Sequence, residues 1–292
     1  MIYSLFTLII LFFTPCCSAN YTYTLSICAI FQDEAPYLKE WIEFHRLVGV
    51  EHFYLYNHRS KDKYKEVLQP YIQAGIVELF DREKVAHRIQ IFNSLQCKCY
   101  NECLAYAKGK SKWVAFIDID EFLFPTSENT LPSVLKNFDN FGGVYANWRI
   151  FGTSQMKTLP HDKLLIESLT SCSPKTFPAN NYIKSIVRPE YAVEFPNPHH
   201  PIYKKGYFQV NTDKIPYEEA FVSSYIQANK LRINHYWTRT EDFFFHVKIP
   251  RQKRWGGTPI SEQILSIVNR EKDDAILRFA PALRERMMPA KH

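Results

Sequence analysis

Apolar residues fall in short blocks along the first part of the chain, and the blocks alternate between two periods. Thr24 to Phe31 is a mainly apolar run of strand length, whereas Tyr37 to Leu47 places apolar residues at 37, 38, 41, 42, 44 and 47, close to a helical repeat. The alternation continues. His52 to Tyr56, Ile76 to Phe80 and Trp113 to Ile117 read as strands, with helices over Asp62 to Tyr71 and Ile91 to Ala107 between them. Four strands separated by three helices predict an α/β fold with a Rossmann-like, mostly parallel sheet wound right-handedly and flanked by helices. In such sheets ligands bind beyond the carboxyl ends of the strands.

The pattern loosens after Phe124. Pro132 to Phe138 reads as a helix and Gly143 to Arg149 as a strand, but Thr153 to Phe195 is rich in Ser, Pro, Asn and Thr without clear period, and is expected to be loop. Helical character returns at Glu241 to His246, and Ser261 to Arg270 and Asp274 to Arg286 look like closing helices. One domain is therefore expected over residues 20–292, with a wound half at about 22–125, a loop-rich half at about 126–260 and closing helices at 261–292. Residues 1–19 stand apart. Leu5 to Phe13 is almost wholly apolar, Pro15 breaks it, and Cys17-Ser18-Ala19 offers small residues, which is the pattern of a signal peptide. Met1 to Ser4 carries no Lys or Arg, so a short membrane anchor is the alternative.

Composition narrows the class. With 46% hydrophobic residues, 9 glycines and 17 prolines in 292, collagen-like and disordered chains are excluded. The net charge of +6 is mild, and its one dense cluster, Lys248, Arg251, Lys253 and Arg254, suits a phosphate-bearing small molecule; no nucleic-acid module is present. Aromatics reach 15%, and aromatic faces are what sugar rings and nucleobases stack on. Beyond residue 19 there are five cysteines, an odd number that leaves at least one thiol free. Cys97, Cys99 and Cys103 lack the fourth ligand and the spacing of a zinc site, so they are expected as buried apolar residues. Asn20-Tyr21-Thr22 is an acceptable glycosylation sequon.

The chemistry concentrates at Asp118-Ile119-Asp120-Glu121, directly after an apolar strand. Two carboxylates one residue apart at a strand exit can hold a divalent cation, Mn²⁺ or Mg²⁺, against a diphosphate. Three acids between buried apolar runs need a cation or donors to offset desolvation. His235, in Ile233-Asn-His-Tyr-Trp237, is a candidate third ligand, with His199 and His200 as competitors. At the ends of the first two strands, Asp33, Glu34 and Asp62 can bind a base or ribose; equally, Asp33 can cap the first helix and Ser60 or Asp62 the second. Lys248 and Arg251 can supply fixed positive charge where a diphosphate departs.

These residues together match a known pattern. Cys28-Ala-Ile-Phe-Gln-Asp-Glu-Ala-Pro-Tyr-Leu-Lys-Glu-Trp-Ile-Glu-Phe-His45, Gly49-Val-Glu-His-Phe-Tyr54, Trp113-Val-Ala-Phe-Ile-Asp-Ile-Asp-Glu-Phe122 and Asn234-His-Tyr-Trp237 resemble glycosyltransferase family 92 and related family 2-like glycosyltransferases. The resemblance implies a GT-A type fold, with a nucleotide-sugar half at 22–125 and a loop-rich acceptor half at 126–260. It further implies a UDP- or GDP-sugar donor, a glycan or other hydroxyl acceptor, a hexosyltransferase, possible galactosyl specificity, and inversion at the anomeric carbon. Asp118 and Asp120 look like the family's Asp-x-Asp, and with His235 they are the implied metal ligands. Asp33, Glu34, Asp62, Asp118, Lys184, Lys248 and Arg251 are the implied nucleotide-sugar contacts. Candidates for the catalytic base are Glu121, Glu241 and Asp242, with Glu167 beside them. A metal-dependent phosphoesterase and an inactive carbohydrate-binding relative are the competing classes. The expected setting is a Golgi or ER lumen in a eukaryote, and a membrane-associated, cytoplasm-facing enzyme in a bacterium.

Overall fold

The computed structural model describes residues 20–216, 222–223, 226–256 and 261–288. The leader expected at residues 1–19 lies outside them. The first half follows its apolar blocks closely, as β1 (Tyr23–Phe31), α1 (Ala35–Leu47), β2 (His52–Asn57), α2 (Tyr64–Gln73), β3 (Val77–Asp81), α3 (Ile89–Ala107) and β4 (Ser111–Phe116). All three strand pairings among them are parallel, in the spatial order β3-β2-β1-β4.

β1 shows why these strands are apolar throughout. Leu25, Ile27, Ala29 and Phe31 pack on one face with Trp41, Phe44 and Trp113, while Cys28 and Ile30 point to the other, under α3. Covering both faces of a parallel sheet removes the polar alternate positions. On α3, Cys99 and Cys103 lie four residues apart on the buried face with Tyr100, and Cys97 sits round the helix, half-buried.

Beyond β4 the chain makes β5 (Glu121–Pro125), α4 (Leu131–Leu135), β6 (Gly143–Ile150), α5 (Leu165–Ser168), β7 (Ser171–Cys172), β8 (Ile183–Val187), β9 (Ala192–Glu194), β10 (Ile202–Tyr203), β11 (Gln209–Val210) and β12 (Leu231–His235). The same sheet continues across them as β4-β8-β6-β12-β5, with β11 beside β6. β8 and β5 run antiparallel to their neighbours. The sheet is thus mixed but mostly parallel and flanked by helices, as the alternation of apolar blocks predicted.

Three expectations need correction here. The stretch expected as loop, Thr153 to Phe195, contains β8, a fully buried strand in the middle of the sheet. Its five residues, Ile-Lys-Ser-Ile-Val, are too few to show a period, and both Lys184 and Ser185 are buried by partners remote in sequence. The helix expected at Glu241 to His246 runs further. After α6 (Glu241–Phe243) a π-helical turn, Phe244–Lys248, leads into α7 (Ile249–Arg254). Of the helix expected at Ser261 to Arg270, only α8 (Ile264–Val268) is regular. β13 (Glu271–Lys272), a 3₁₀ turn and α9 (Ala280–Met287) close the fold. Among the described residues no helix is long and apolar enough to cross a membrane.

Candidate active site

The carboxyl ends of β1 and β4 open into a cleft of about 300 Å³. Glu34 enters it after β1, Asp118 and Asp120 after β4, and His235 from the end of β12; the helical segment that follows brings Lys248 and Arg251. β5 doubles back beside β12, so Glu121 pairs with His235 across the ladder and the main-chain N–H of Tyr236 donates to the Asp120 carbonyl (2.8 Å). Residues 114 to 116 positions apart are joined by ordinary strand pairing.

Asp120 faces the cleft beside an imidazole and an ammonium. Its Oδ1 lies 3.4 Å from His235 Nε2 and its Oδ2 lies 3.7 Å from Lys248 Nζ. Burial alone would raise the Asp120 carboxyl, but His235, Lys248 and Arg239 outweigh it and hold the group well below the usual carboxylate range. For Lys248 the balance is reversed: burial dominates and lowers its ammonium despite Asp120. The Lys248 ammonium also sits 5.3 Å from the centre of the Trp237 ring.

Asp118 is turned to a different set of partners. Lys184 Nζ donates to its Oδ2 (2.8 Å) and Gln96 Nε2 to its Oδ1 (2.7 Å). Lys184 lies beneath the cleft floor, 1% exposed, and 3.8 Å from Glu121 Oε1. Burial works against the Lys184 ammonium, yet Asp118 and Glu121 more than offset it and raise its pKa. Glu121 is fully buried and its carboxyl is pushed up, first by that burial. Its Oε2 accepts the Asp118 N–H at 3.0 Å, while Trp41 donates to its carbonyl. Glu121 therefore pins the turn that presents the two aspartates.

The comparisons bear on what this cleft is for. The family model described as glycosyltransferase family 92 matches residues 21–271. This chain belongs to glycosyltransferase family 92. A family 92 protein of Ricinus communis is 29% identical over 197 residues, covering 65% of this chain and 33% of the relative. A beta-1,4-galactosyltransferase of Caenorhabditis elegans is 26% identical over 186 residues, covering 60% and 42%. The chain thus spans under half the length of these curated relatives. Among solved structures, Staphylococcus aureus TarS 1-349 in complex with UDP-GlcNAc aligns with a TM-score of 0.38 at 12% identity, over 83% of this chain and 70% of that one.

Of the residues expected at a family 92 site, Glu34, Asp118, Asp120, His235, Lys248 and Arg251 line the cleft. Lys184 reaches it only through Asp118. Asp33 and Asp62 do not line it: they tie the β1 and β2 exits together. Asp33, in the left-handed region (φ 55°), accepts the Lys61 N–H, and Asp62 accepts the N–H groups of Ala35 and Tyr64. The expectation that Asp33 caps α1 is corrected accordingly. Asp62 accepts the first N–H of α1 from a separate loop and the first N–H of α2, whose N-cap position is Lys63 and not Ser60 or Asp62 as expected.

The three expected metal ligands do not converge. Among the described residues no group of three or more His, Cys, Asp or Glu side chains could hold a metal ion, because Asp118 is committed to Lys184 and Gln96. Asp120 and His235 remain as an adjacent oxygen and nitrogen pair. That donor set fits Mn²⁺ or Mg²⁺, which keep water and substrate phosphate on their other positions.

The carboxylates expected as base lie outside the cleft lining. Glu121 is buried below it, and Asp242 faces a separate cavity with Tyr37 and His246. Glu241 begins α6, and Glu167 is paired with Arg284 (2.6 Å). His199 and His200 are also elsewhere, His199 in a cavity with Tyr182 and Cys97 and its Nδ1 2.9 Å from the Ile183 carbonyl.

One residue escaped the sequence reading. Arg239 is 1% exposed, holds a positive φ of 51°, and pairs with Glu34 while lying over the rings of Tyr37 (3.8 Å) and Phe243 (4.6 Å). Burial raises the Glu34 carboxyl and Arg239 works against that rise. The sequence signal was its place, two residues beyond Trp237, in a stretch that already carried the histidine.

Proposed function

We propose that this chain transfers a hexosyl group, galactosyl being the first to test, from a nucleoside-diphosphate sugar to a hydroxyl of a glycan acceptor. The observation that carries the reading is the cleft itself, where Asp120, His235, Lys248 and Arg251 meet at the exits of parallel strands in a family 92 chain. Phe92 and Trp255, stacked with ring centres 5.0 Å apart, offer aromatic surface to a nucleobase in the same cleft. Asp120 and His235 would hold the divalent cation, which when bound neutralises diphosphate charge. Lys248 and Arg251 face that charge as it grows on the leaving group and stabilise it electrostatically. The transfer is a single inverting displacement by the acceptor hydroxyl. Since none of Glu121, Glu241 and Asp242 lines the cleft, the hydroxyl proton is assigned to none of them.

Titration of the protein with UDP and with GDP, each with and without Mn²⁺, tests the reading. One nucleotide should bind in a metal-dependent manner and lose that dependence in Asp120→Asn. Equal binding with and without metal, in wild type and variant alike, overturns the cation's assignment; no binding of either nucleotide overturns the transferase. A secretory lumen is the setting proposed. N-terminal sequencing of protein from its own host should find a start at Asn20, and a retained Met1 overturns that placement.

A further inference from the structure

The cleft of Asp120 lies at the carboxyl end of β1. At the amino end, about 30 Å away along the nine residues of that strand, the surface has a different character. The turn after β10 runs Lys204-Lys205-Gly206-Tyr207-Phe208, with Tyr207 and Phe208 38% and 44% exposed. Ile202 and Val193, on the hairpin of β9 and β10 behind it, are 46% and 51% exposed. β11 follows the turn and pairs with Gly143 and Val144 at the start of β6, which fixes all of this at the end of the sheet away from the cleft. Single apolar residues at a surface are ordinary, whereas a group of them rimmed by polar residues marks a surface of contact.

The turn is held so that its tip stays out. Tyr203 packs so closely on Gly142 and Gly143 that a side chain at either glycine would collide with its ring, and its hydroxyl donates to the buried Gln209 Oε1 (3.3 Å). Tyr207 stacks on Tyr191 with ring centres 3.8 Å apart, and the Lys204 N–H donates to the Tyr191 carbonyl (2.8 Å). Gly206 turns the chain with a φ of 87°, in the left-handed region that favours glycine. With both ends fixed, the tip cannot withdraw its rings into the core.

Charge identifies the partner. Lys204 and Lys205 are exposed at the tip, and Lys108 and Lys110 are exposed on the adjoining turn between α3 and β4, where the Gly109 N–H donates to Glu190 (3.3 Å). Arg188 lies over the Tyr191 ring (4.6 Å). Among the described residues here Glu190 and Glu194 oppose them, while Lys112 and Asp139 answer each other (2.7 Å), so the excess is positive. A soluble polyanion would use the lysines and leave the aromatic tip in water, and a second copy would set like charge against like. An anionic bilayer uses both, with rings at the level of the headgroups and ammonium groups against lipid phosphate. The chain also enters the domain at this edge: Tyr23, the first residue of β1, donates its N–H to the Lys110 carbonyl (2.9 Å), a few residues after the apolar run of Leu5 to Phe13.

We infer that the Lys204–Phe208 turn and its basic rim dock the folded domain on an anionic phospholipid bilayer, with the cleft of Asp120 at the opposite end. Neither removal of the leader nor the transferase reading bears on this docking.

The test uses the chain from Asn20, the mature form proposed above, sedimented with vesicles of phosphatidylcholine with and without phosphatidylserine. Wild type should sediment with the phosphatidylserine vesicles, far less with phosphatidylcholine alone, and be released by salt. Tyr207→Ser combined with Phe208→Ser should weaken that binding by roughly tenfold or more, and Lys204→Glu combined with Lys205→Glu by a similar factor. Val85→Ser, at an apolar residue 57% exposed elsewhere, should leave it unchanged. As all these positions are exposed, the unfolding midpoint should stay at the wild-type value. In Phe208→Trp the added indole fluorescence should be quenched by lipids brominated on their acyl chains, and in Val85→Trp it should not. No sedimentation of wild type, equal sedimentation with both vesicles, or no added quenching in Phe208→Trp overturns the inference. Loss of binding in the lysine variant alone overturns it in favour of a soluble polyanion. A dimer in solution that dissociates in the Tyr207 and Phe208 variant overturns it in favour of a second copy.

Discussion

Asp118 and Asp120 leave the same turn and enter two different environments. Around Asp118 every charge is answered from within the protein, by Lys184 and Gln96, with Glu121 closing the turn underneath. Around Asp120 the neighbours are the His235 imidazole at 3.4 Å and the Lys248 ammonium at 3.7 Å, and the carboxylate lines the cleft. The first corner holds the second in place. A pair of acids that reads as one motif in sequence is divided by the fold into one carboxylate paired within the protein and one set beside His235 and Lys248, both at the cleft.

Removing the support should do the most damage. Lys184→Met leaves Asp118 and the buried Glu121 without their cation, and breaking a buried pair from one side costs about 3–5 kcal/mol. Urea unfolding should show the loss, with partial recovery when Asp118→Asn is added; stability equal to wild type would erase the distinction between the corners. Next comes Asp120→Asn, nearly isosteric. It should lower transfer by about a hundredfold or more while leaving the unfolding curve in place. An unfolding midpoint that falls with the activity would make Asp120 structural too.

A smaller effect is expected on the other side of the Asp120 pair. His235→Ala should raise the Mn²⁺ requirement of nucleotide binding by roughly tenfold, within the range seen when groups around a metal are altered. An unchanged requirement would leave Asp120 as the cation's one protein ligand.

The finest comparison is in pH. The depressed Asp120 carboxyl contributes stability that is present above its unfolded pKa and is lost as pH falls through its folded value, on the acid side of the usual carboxylate range. The raised Glu121 carboxyl contributes in the opposite sense, fully below its unfolded pKa and less as pH rises through the folded value. Thermal unfolding across pH should therefore flatten on the acid side in Asp120→Asn and on the alkaline side in Glu121→Gln. Identical profiles in both variants would contradict the assignment of opposite shifts to adjacent residues.

What could be read before folding divides along similar lines. β1 to β4 were legible because each strand and its helix are local, with periods long enough to see. The acidic turn and His235 were legible because polar residues embedded in apolar runs need a reason to be there. β8 and the Lys184 pairing were not, since that strand is defined by neighbours 36 to 73 residues away and not by its own pattern. Asp62 shows the same limit. Sequence placed it near a helix start, but only the fold reveals that it serves two helices.

The π-helical turn at Phe244–Lys248 has a consequence for how this cleft tolerates change in chain length. A wider turn accommodates one residue more than an α-helix would over the same rise, and each residue of an α-helix advances the side chains by about 100°. Deleting a single residue from this turn would let the helix rewind regularly with Lys248 and Arg251 close to their present phase, whereas adding a further residue would carry both about 100° round the axis relative to α6. Both basic side chains would then leave the cleft with their chemistry intact. The positive charge opposite Asp120 is thus set by a residue count as much as by residue identity, and an insertion here should be far less tolerated than a single deletion within the turn.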